Sequence, residues 1–299
     1  MDGRTLSVEL RQMLSENSTG TWLDDKTTYD YLYEAALATA DRTNAFTATQ
    51  TITSVGSDID YLLEPDFLKL QLVDSENNPY VKWYDTTNYH FIYHDEYTNI
   101  ILANNTTSVL VPDRFTITDA PIASRISGTA TSDGASANQE STLTDSTAPF
   151  TLVKVGDTVY NSTDGSNGVV MAITSTSAIV TALYGGTNND WTSADAYVII
   201  PQGRFQIVFD PPPSTAGHTV TVYYVQRPAP VYSYNRGYRF APGYKRPLLS
   251  YAAWLYKYRD SQPNTGDAHY KYWDNSVKRL GATLNQAMKR TRLKVNLMR

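Results

Sequence analysis

The feature that most constrains this chain is a pair of helical periodicities near its C-terminal end. Residues 244–259 are rich in Leu, Ala and aromatic side chains, and the run from Asp260 to Gly266, which contains Pro263, interrupts them. A second run follows, in which Tyr270, Trp273, Val277, Leu280, Leu284 and Met288 recur at spacings of 3, 4, 3, 4 and 4. Such spacing keeps one face of an α-helix apolar. Pro247 lacks the N–H that a helix interior needs, so the first helix is expected to begin near Lys245 or Arg246. The seam of Tyr270, Trp273, Val277, Leu280 and Leu284 is expected to pack on an N-terminal helix and on neighbouring subunits.

Helical patterning also opens the chain. Leu6, Leu10, Met13 and Leu14 share one side of a short helix. A stronger one follows Asp24, a suitable N-cap, with Asp25 at the positive end of the helix dipole. Tyr29, Leu32, Tyr33, Ala36, Leu37 and Ala40 line one face, and the helix is expected to end near Arg42 or Asn44.

Between these ends the pattern is that of strands. Residues 46–55, 59–63, 65–73, 80–84 and 90–93 are β-branched or aromatic and are separated by turn residues. Residues 204–209 and 218–226 continue the pattern, with three prolines after Asp210 ending the first of them. In the middle, ten of the 24 residues from 123 to 146 are Ser or Thr, which reads as a loop or linker. Five short strands are expected after it, at 150–155, 156–160, 168–174, 178–183 and 196–200. The expected class is therefore α+β. Residues 1–122 and 201–299 would form a helical bundle from the N- and C-terminal helices with a β-sheet region. Residues 123–200 would form an inserted all-β small barrel or sandwich.

No catalytic signature appears. The chain has no cysteine, which excludes disulfides, thiolate chemistry and cysteine-bound metals. His90 and His94 have a helical metal-ligand spacing but lie in a strand pattern. Asp157, Asp164, Asp190 and Asp195 sit in turns without the spacing of a calcium loop. There is no phosphate loop, no dinucleotide glycine fingerprint and no Gly-x-Ser-x-Gly elbow. The pair Asp24 and Asp25 suits a helix N-terminus better than acid–base work. The expectation is no enzyme, no cofactor and no metal. No run reaches the ~20 apolar residues of a membrane span, and the N-terminus lacks a signal-peptide pattern. Assembly in a cytoplasm is expected. The 23 tyrosines suit half-exposed strands and subunit interfaces, where the ring is buried and the hydroxyl stays wet.

Charge is divided. Residues 236–299 hold 14 Lys or Arg against 3 Asp, whereas the rest of the chain holds 11 basic and 27 acidic residues. Cations suit a helix C-terminus, but that accounts for one or two of them. Such asymmetry points to docking on an acidic partner, either nucleic acid or an acidic protein surface.

Several segments in order carry a family resemblance. These are residues 21–35 (Thr21-Trp-Leu-Asp-Asp-Lys onward), Thr49 to Thr53, Tyr61 to Lys69, Asp210 with its prolines, Val220 to Pro228, and the helical runs 248–259 and 266–272. The order resembles the head-to-tail adaptor (connector, or head-completion) proteins of tailed bacteriophages. Tyr33 stands where that family commonly has Asn, and the insertion at 123–200 departs from its minimal form. The resemblance implies a ring of twelve copies beneath the portal, in the virion at the head–tail junction. That ring would extend the channel through which genomic DNA passes without sequence-specific binding, and present a platform to tail or nozzle proteins. Portal docking would fall to Lys289, Arg290, Arg292, Lys294 and Arg299. The alternative reading is a receptor- or carbohydrate-binding virion protein that uses the tyrosine-rich β-insertion at 123–200 as its binding face.

Overall fold

The computed structural model describes residues 1–15, 23–74, 76–103, 107–147 and 150–296. Along the chain come α1 (Gly3–Met13) and α2 (Asp25–Thr43), then β1 (Thr47–Thr53), β2 (Asp60–Leu62), β3 (Phe67–Leu70), β4 (Tyr80–Tyr84) and β5 (Tyr89–His94). A short helix α3 (Tyr97–Ala103) precedes β6 (Arg114–Asp119). Next are β7 (Ile126–Thr129), β8 (Ser136–Ala137), β9 (Glu140–Thr144), β10 (Thr158–Asn161), β11 (Ser166–Ser175), β12 (Ala178–Tyr184) and β13 (Ala196–Ile200). Finally come β14 (Phe205–Asp210), β15 (Thr219–Gln226), α4 (Lys245–Arg259) and α5 (Pro263–Asn296). Two units result. One comprises Met1–Ala45, Ser124–Pro201 and Pro228–Arg299; the other comprises Phe46–Ala123 and Gln202–Arg227.

In the first unit, local chemistry sets the helix ends. The Asp24 carboxylate accepts from the Thr27 N–H at 2.6 Å, which satisfies one orphan donor of α2. Asn44 closes that helix in the left-handed region at φ 53°, a conformation Asn tolerates. Pro247 lies in the first turn of α4, where its missing N–H costs nothing. Tyr29, Leu32, Ala36 and Ala40 of α2 are buried, as are Leu248, Ala252 and Tyr256 of α4 and Trp273 and Val277 of α5.

The same unit holds a seven-stranded antiparallel sheet in the order β7-β13-β10-β11-β12-β9-β8. It curls until the chain just past β7 meets the end of β9, where the Thr131 N–H donates to the Thr144 carbonyl at 2.8 Å. Leu143, Phe150, Val159, Val170, Ile179 and Trp191 fill its interior. Gly168 is required there: a Cβ would stand 1.7 Å from the Ala182 carbonyl oxygen of the paired strand.

The second unit is an eight-stranded sheet in the order β1-β15-β4-β5-β6-β14-β2, with β3 also on β15. Only β5 and β6 run parallel. The Gln50 side chain on β1 bridges to the far edge strand: its amide donates to the Leu62 carbonyl and its oxygen accepts from the Glu64 N–H, both at 3.0 Å. Leu63, Trp83, Phe115, Phe209, Val220 and Val222 form the core. The buried Trp83 indole donates to His218 Nδ1 at 3.2 Å, so the polar edge of that ring is satisfied.

The expected α+β class, a helical bundle with a β region and a small insertion, is overturned. The protein is mostly β, with two sheets that each roll towards a barrel, and helix accounts for only 28% of it. One reason lies in the Ser/Thr-rich tract, which supplies β7, β8 and β9 instead of a linker. Its hydroxyls find partners inside the sheet. Ser141, 1% exposed, accepts from the Trp191 N–H, and its carbonyl accepts from Thr181 Oγ1 at 3.0 Å. Residues 150–152 form a 3₁₀ turn where a strand was expected, with Phe150 and Val153 both directed into the core. The helix α3 was not anticipated.

Candidate interaction surfaces

Three of the four turn aspartates, Asp157, Asp164 and Asp195, accept from backbone donors. Asp164 accepts from the N–H groups of Thr187, Asn188 and Asn189 at 2.8–3.0 Å, which outweighs its desolvation and holds its carboxyl below the usual range. Asp157 caps the Lys154 N–H, and Asp195 accepts from Asn161 Nδ2 and the Thr192 N–H. His90 Nε2 pairs with Asp85 at 2.8 Å on the same hairpin. Among the described residues, no group of three or more His, Cys, Asp or Glu is set to hold a metal ion.

The C-terminal hairpin is held by aromatic packing. Trp254 of α4 lies 5.0 Å from Tyr270 of α5, and Tyr251 lies 4.7 Å from Trp273. Gly266 permits this approach, since a Cβ there would meet the Tyr258 ring at 3.0 Å. Trp273 and Val277 are buried, and the Trp273 indole reaches α2. Tyr270 stays 39% exposed although its ring also contacts Trp273. Leu280 is half-buried, with Cδ2 beside Gly243. Gly281 passes the end of α2 near Arg42 and Thr43. From there α5 continues to Asn296, about fifteen residues or ~22 Å at the helical rise. The side chains of Leu284, Lys289, Arg290, Arg292 and Lys294 lie outside the described residues, as does Arg299 entirely.

Within the first unit, the β8–β9 turn is tied to the helical segments by polar contacts. Gln139 Nε2 donates to Asp25 Oδ2 at 2.7 Å, and Arg11 donates to the other oxygen at 2.8 Å. Glu140 accepts from Arg236 Nε at 2.7 Å and from Ser233 Oγ at 2.6 Å. Burial opposes its charge, but the Arg236 and Ser233 donors outweigh burial and lower its pKa. The Tyr184 hydroxyl donates to the Tyr232 carbonyl, and the Tyr232 hydroxyl donates to Asp30 at 2.7 Å. Desolvation pushes both phenols well up.

The second unit carries a surface that strand patterning alone left unassigned. On β5, Tyr89, Phe91 and Tyr93 point outward and are 68%, 53% and 41% exposed. Their cross-strand partners on β4 are Tyr84, Lys82 and Tyr80, so all six share one face. Tyr84 stacks on Tyr89 at 4.8 Å, and Tyr80 meets Phe91 edge-on at 5.2 Å. The Lys82 ammonium lies 5.4 Å from the Tyr223 ring of β15. The signal was present in the sequence: aromatic residues alternate with the inward Val81, Trp83 and Ile92. Elsewhere in this unit an open cleft of about 470 Å³ is lined by residues including Ile100, Asp60, Gln206 and Asp210. Asp210 is held there by Arg114, whose Nε lies 2.8 Å away.

No family model matches the chain, and none of the curated proteins matches it. No helix among the described residues is long and apolar enough to cross a membrane.

Proposed function

We propose that the chain is a non-enzymatic structural protein of a tailed-phage head–tail junction, one that forms a ring beneath the portal and extends the DNA channel towards the tail. The observation that carries this reading is the C-terminal helix. It is anchored by the buried Trp273 and Val277 and runs on past the end of α2 as a basic segment, attached to a body rich in carboxylates. The segment order that resembles phage adaptors supports the same reading.

Physically, a basic helix end suits an acidic partner, and ring symmetry multiplies contacts that are individually weak. In this reading Lys289, Arg290, Arg292, Lys294 and Arg299 meet the portal, twelve copies close the ring, and tail or nozzle proteins bind the opposite side. Electron microscopy of the purified protein mixed with its portal tests it. The expected result is a ring with an open channel seated on the portal, lost when residues 289–299 are deleted and weakened by salt. A monomer that ignores the portal, or attachment unaffected by the deletion, sinks the reading.

A further inference from the structure

The open cleft of the second unit, about 470 Å³ in volume, falls in the size range of small-ligand sites. Its floor is one face of β2, β14 and β6. Asp60 of β2 stands directly across from Val208 of β14, and Gln206 of β14 directly across from Thr118 of β6. Val208 and Gln206 are two residues apart on one strand, so all four share that face and line the cleft. The short helix α3 adds Tyr97, 51% exposed, and the buried Ile100. The side chains of Asp60, Gln206 and Thr118 have no hydrogen-bond or ion-pair partner among the described residues. The second acid of the cleft differs, because Arg114 engages Asp210 and also Asp95.

The charge around the cleft selects what enters it. Residues 58–64, 95–103, 113–119 and 204–212, which build it, hold eight Asp or Glu and two Arg. Arg114 is engaged by two of those acids, and Arg204 donates through Nη2 to the Leu63 carbonyl at 2.9 Å. An anion would be repelled. A neutral ligand would take water from the Asp60 carboxylate and return no charge to it. A hard metal ion takes six or more oxygen ligands; among the described residues no group of three suitable side chains exists, and Val208, Ile100 and Pro212 offer it nothing. What remains is a cation that carries an apolar body.

We propose that this cleft binds an alkylammonium or alkylguanidinium group. Its head makes charge-assisted hydrogen bonds to Asp60, its stem lies along Val208, Ile100 and Pro212, and the Tyr97 ring faces the cation. Gln206, a cross-strand diagonal of about 7–8 Å from Asp60, offers an oxygen to a second polar end. Two sources carry such a group: a free amine or guanidine, and a Lys or Arg side chain of a polypeptide. The cleft lies in the second unit, apart from the C-terminal segment that carries the proposed function, so the two readings stand or fall separately.

Saturation-transfer NMR titration of the full-length protein tests it. The probes are agmatine, cadaverine, acetyl-Gly-Arg-Gly-amide and acetyl-Gly-Lys-Gly-amide, with glutarate as the anionic control. Saturable binding of at least one cation is expected, at about millimolar Kd or tighter. Asp60→Asn should weaken it about tenfold or more, and Tyr97→Ala about threefold or more. Glu34→Gln, which removes an exposed acid on α2, should leave it unchanged. Unaltered melting temperatures would show that the variants remain folded. Tighter binding of agmatine or cadaverine assigns a free cation, and tighter binding of a peptide assigns a polypeptide side chain; either supports the cleft chemistry. The proposal is overturned by no saturable binding of any cation, by equal binding of glutarate, by binding that survives Asp60→Asn, or by an equal loss in Glu34→Gln.

Discussion

The indole Nε1 of Trp273 donates to Thr39 Oγ1 at 3.0 Å in a buried site, which joins the C-terminal helix to the N-terminal one across 234 residues of sequence. Thr39 is fully buried, so this bond has no water to replace it. Thr39→Val would keep the shape and strand the indole N–H, at a cost of about 1–3 kcal/mol. Thr39→Ser would retain the acceptor and cost less. Chemical denaturation monitored by tryptophan fluorescence checks the ranking; equal effects of Val and Ser would refute a role for the hydrogen bond.

The Glu140–Arg236 pair makes a pH-dependent contribution. Its donors lower the folded pKa of Glu140 below the unfolded value. The stabilisation is therefore fully present above the ordinary glutamate pKa of about 4.3 and is lost as pH falls through the lowered folded value. Glu140→Gln should destabilise the protein by about 1–3 kcal/mol at neutral pH. The gap from the natural protein should close on acidification through that window. A gap that is constant from pH 7 to pH 3 would contradict the assignment.

Two glycines of the seven-stranded sheet should respond differently to alanine. At Gly168 a methyl group would run into the Ala182 backbone, which cannot rotate away. Gly168→Ala should cost about 3 kcal/mol or more, since the strands must separate to admit it. Gly165 faces open space, and only its φ of 79° opposes a side chain, so Gly165→Ala should cost about 1 kcal/mol. Thermal melts of the two variants decide the matter, and similar midpoints would count against the close strand approach.

Arg114 links two carboxylates in the second unit. It contacts Asp210 through Nε and Asp95 through Nη1, each at 2.8 Å. Asp210 is 5% exposed, so Arg114→Ala should destabilise the unit by about 2–3 kcal/mol by removing a charged partner from a buried acid. Arg114→Lys should recover only part of this, because one ammonium cannot span both acids. Denaturant unfolding followed at the tryptophan band reports it; full recovery by lysine would remove the case for the fork.

The parts of this fold that were legible in the sequence are those whose cause is local. Asp24 and Asn44 marked the ends of α2, Pro247 marked the start of α4, and prolines after Asp210 marked the end of β14, each through its own backbone chemistry. The tract containing Ser141 was not legible. Whether a hydroxyl-rich run is a solvated loop or a strand depends on partners such as Trp191 and Thr181, about forty to fifty residues away. Nor could any local signal pair Thr47 with Val225. The aromatic face was half legible: alternation identified the strands, but only the register of β4 against β5 showed that Tyr84 and Tyr89 lie side by side. The C-terminal seam was legible only in part: Trp273 and Val277 are buried, whereas Tyr270, on the same helical spacing, stays 39% exposed, because burial there depends on what α2 and α4 bring against the helix.

The alternation of the chain between its two units has a consequence for how it emerges from the ribosome. The seven-stranded sheet draws every strand from residues 126–200, so it can form as soon as that stretch is made. The eight-stranded sheet cannot: β1 is synthesised early but pairs only with β15, near residue 220. At translation speeds of about 5–20 residues per second, β1 to β6 wait on the order of ten seconds or longer with incomplete pairing. Chains arrested before residue 215 should therefore yield a protease-resistant fragment from the later-made sheet while the earlier strands are digested. In this protein the middle of the gene matures before its beginning.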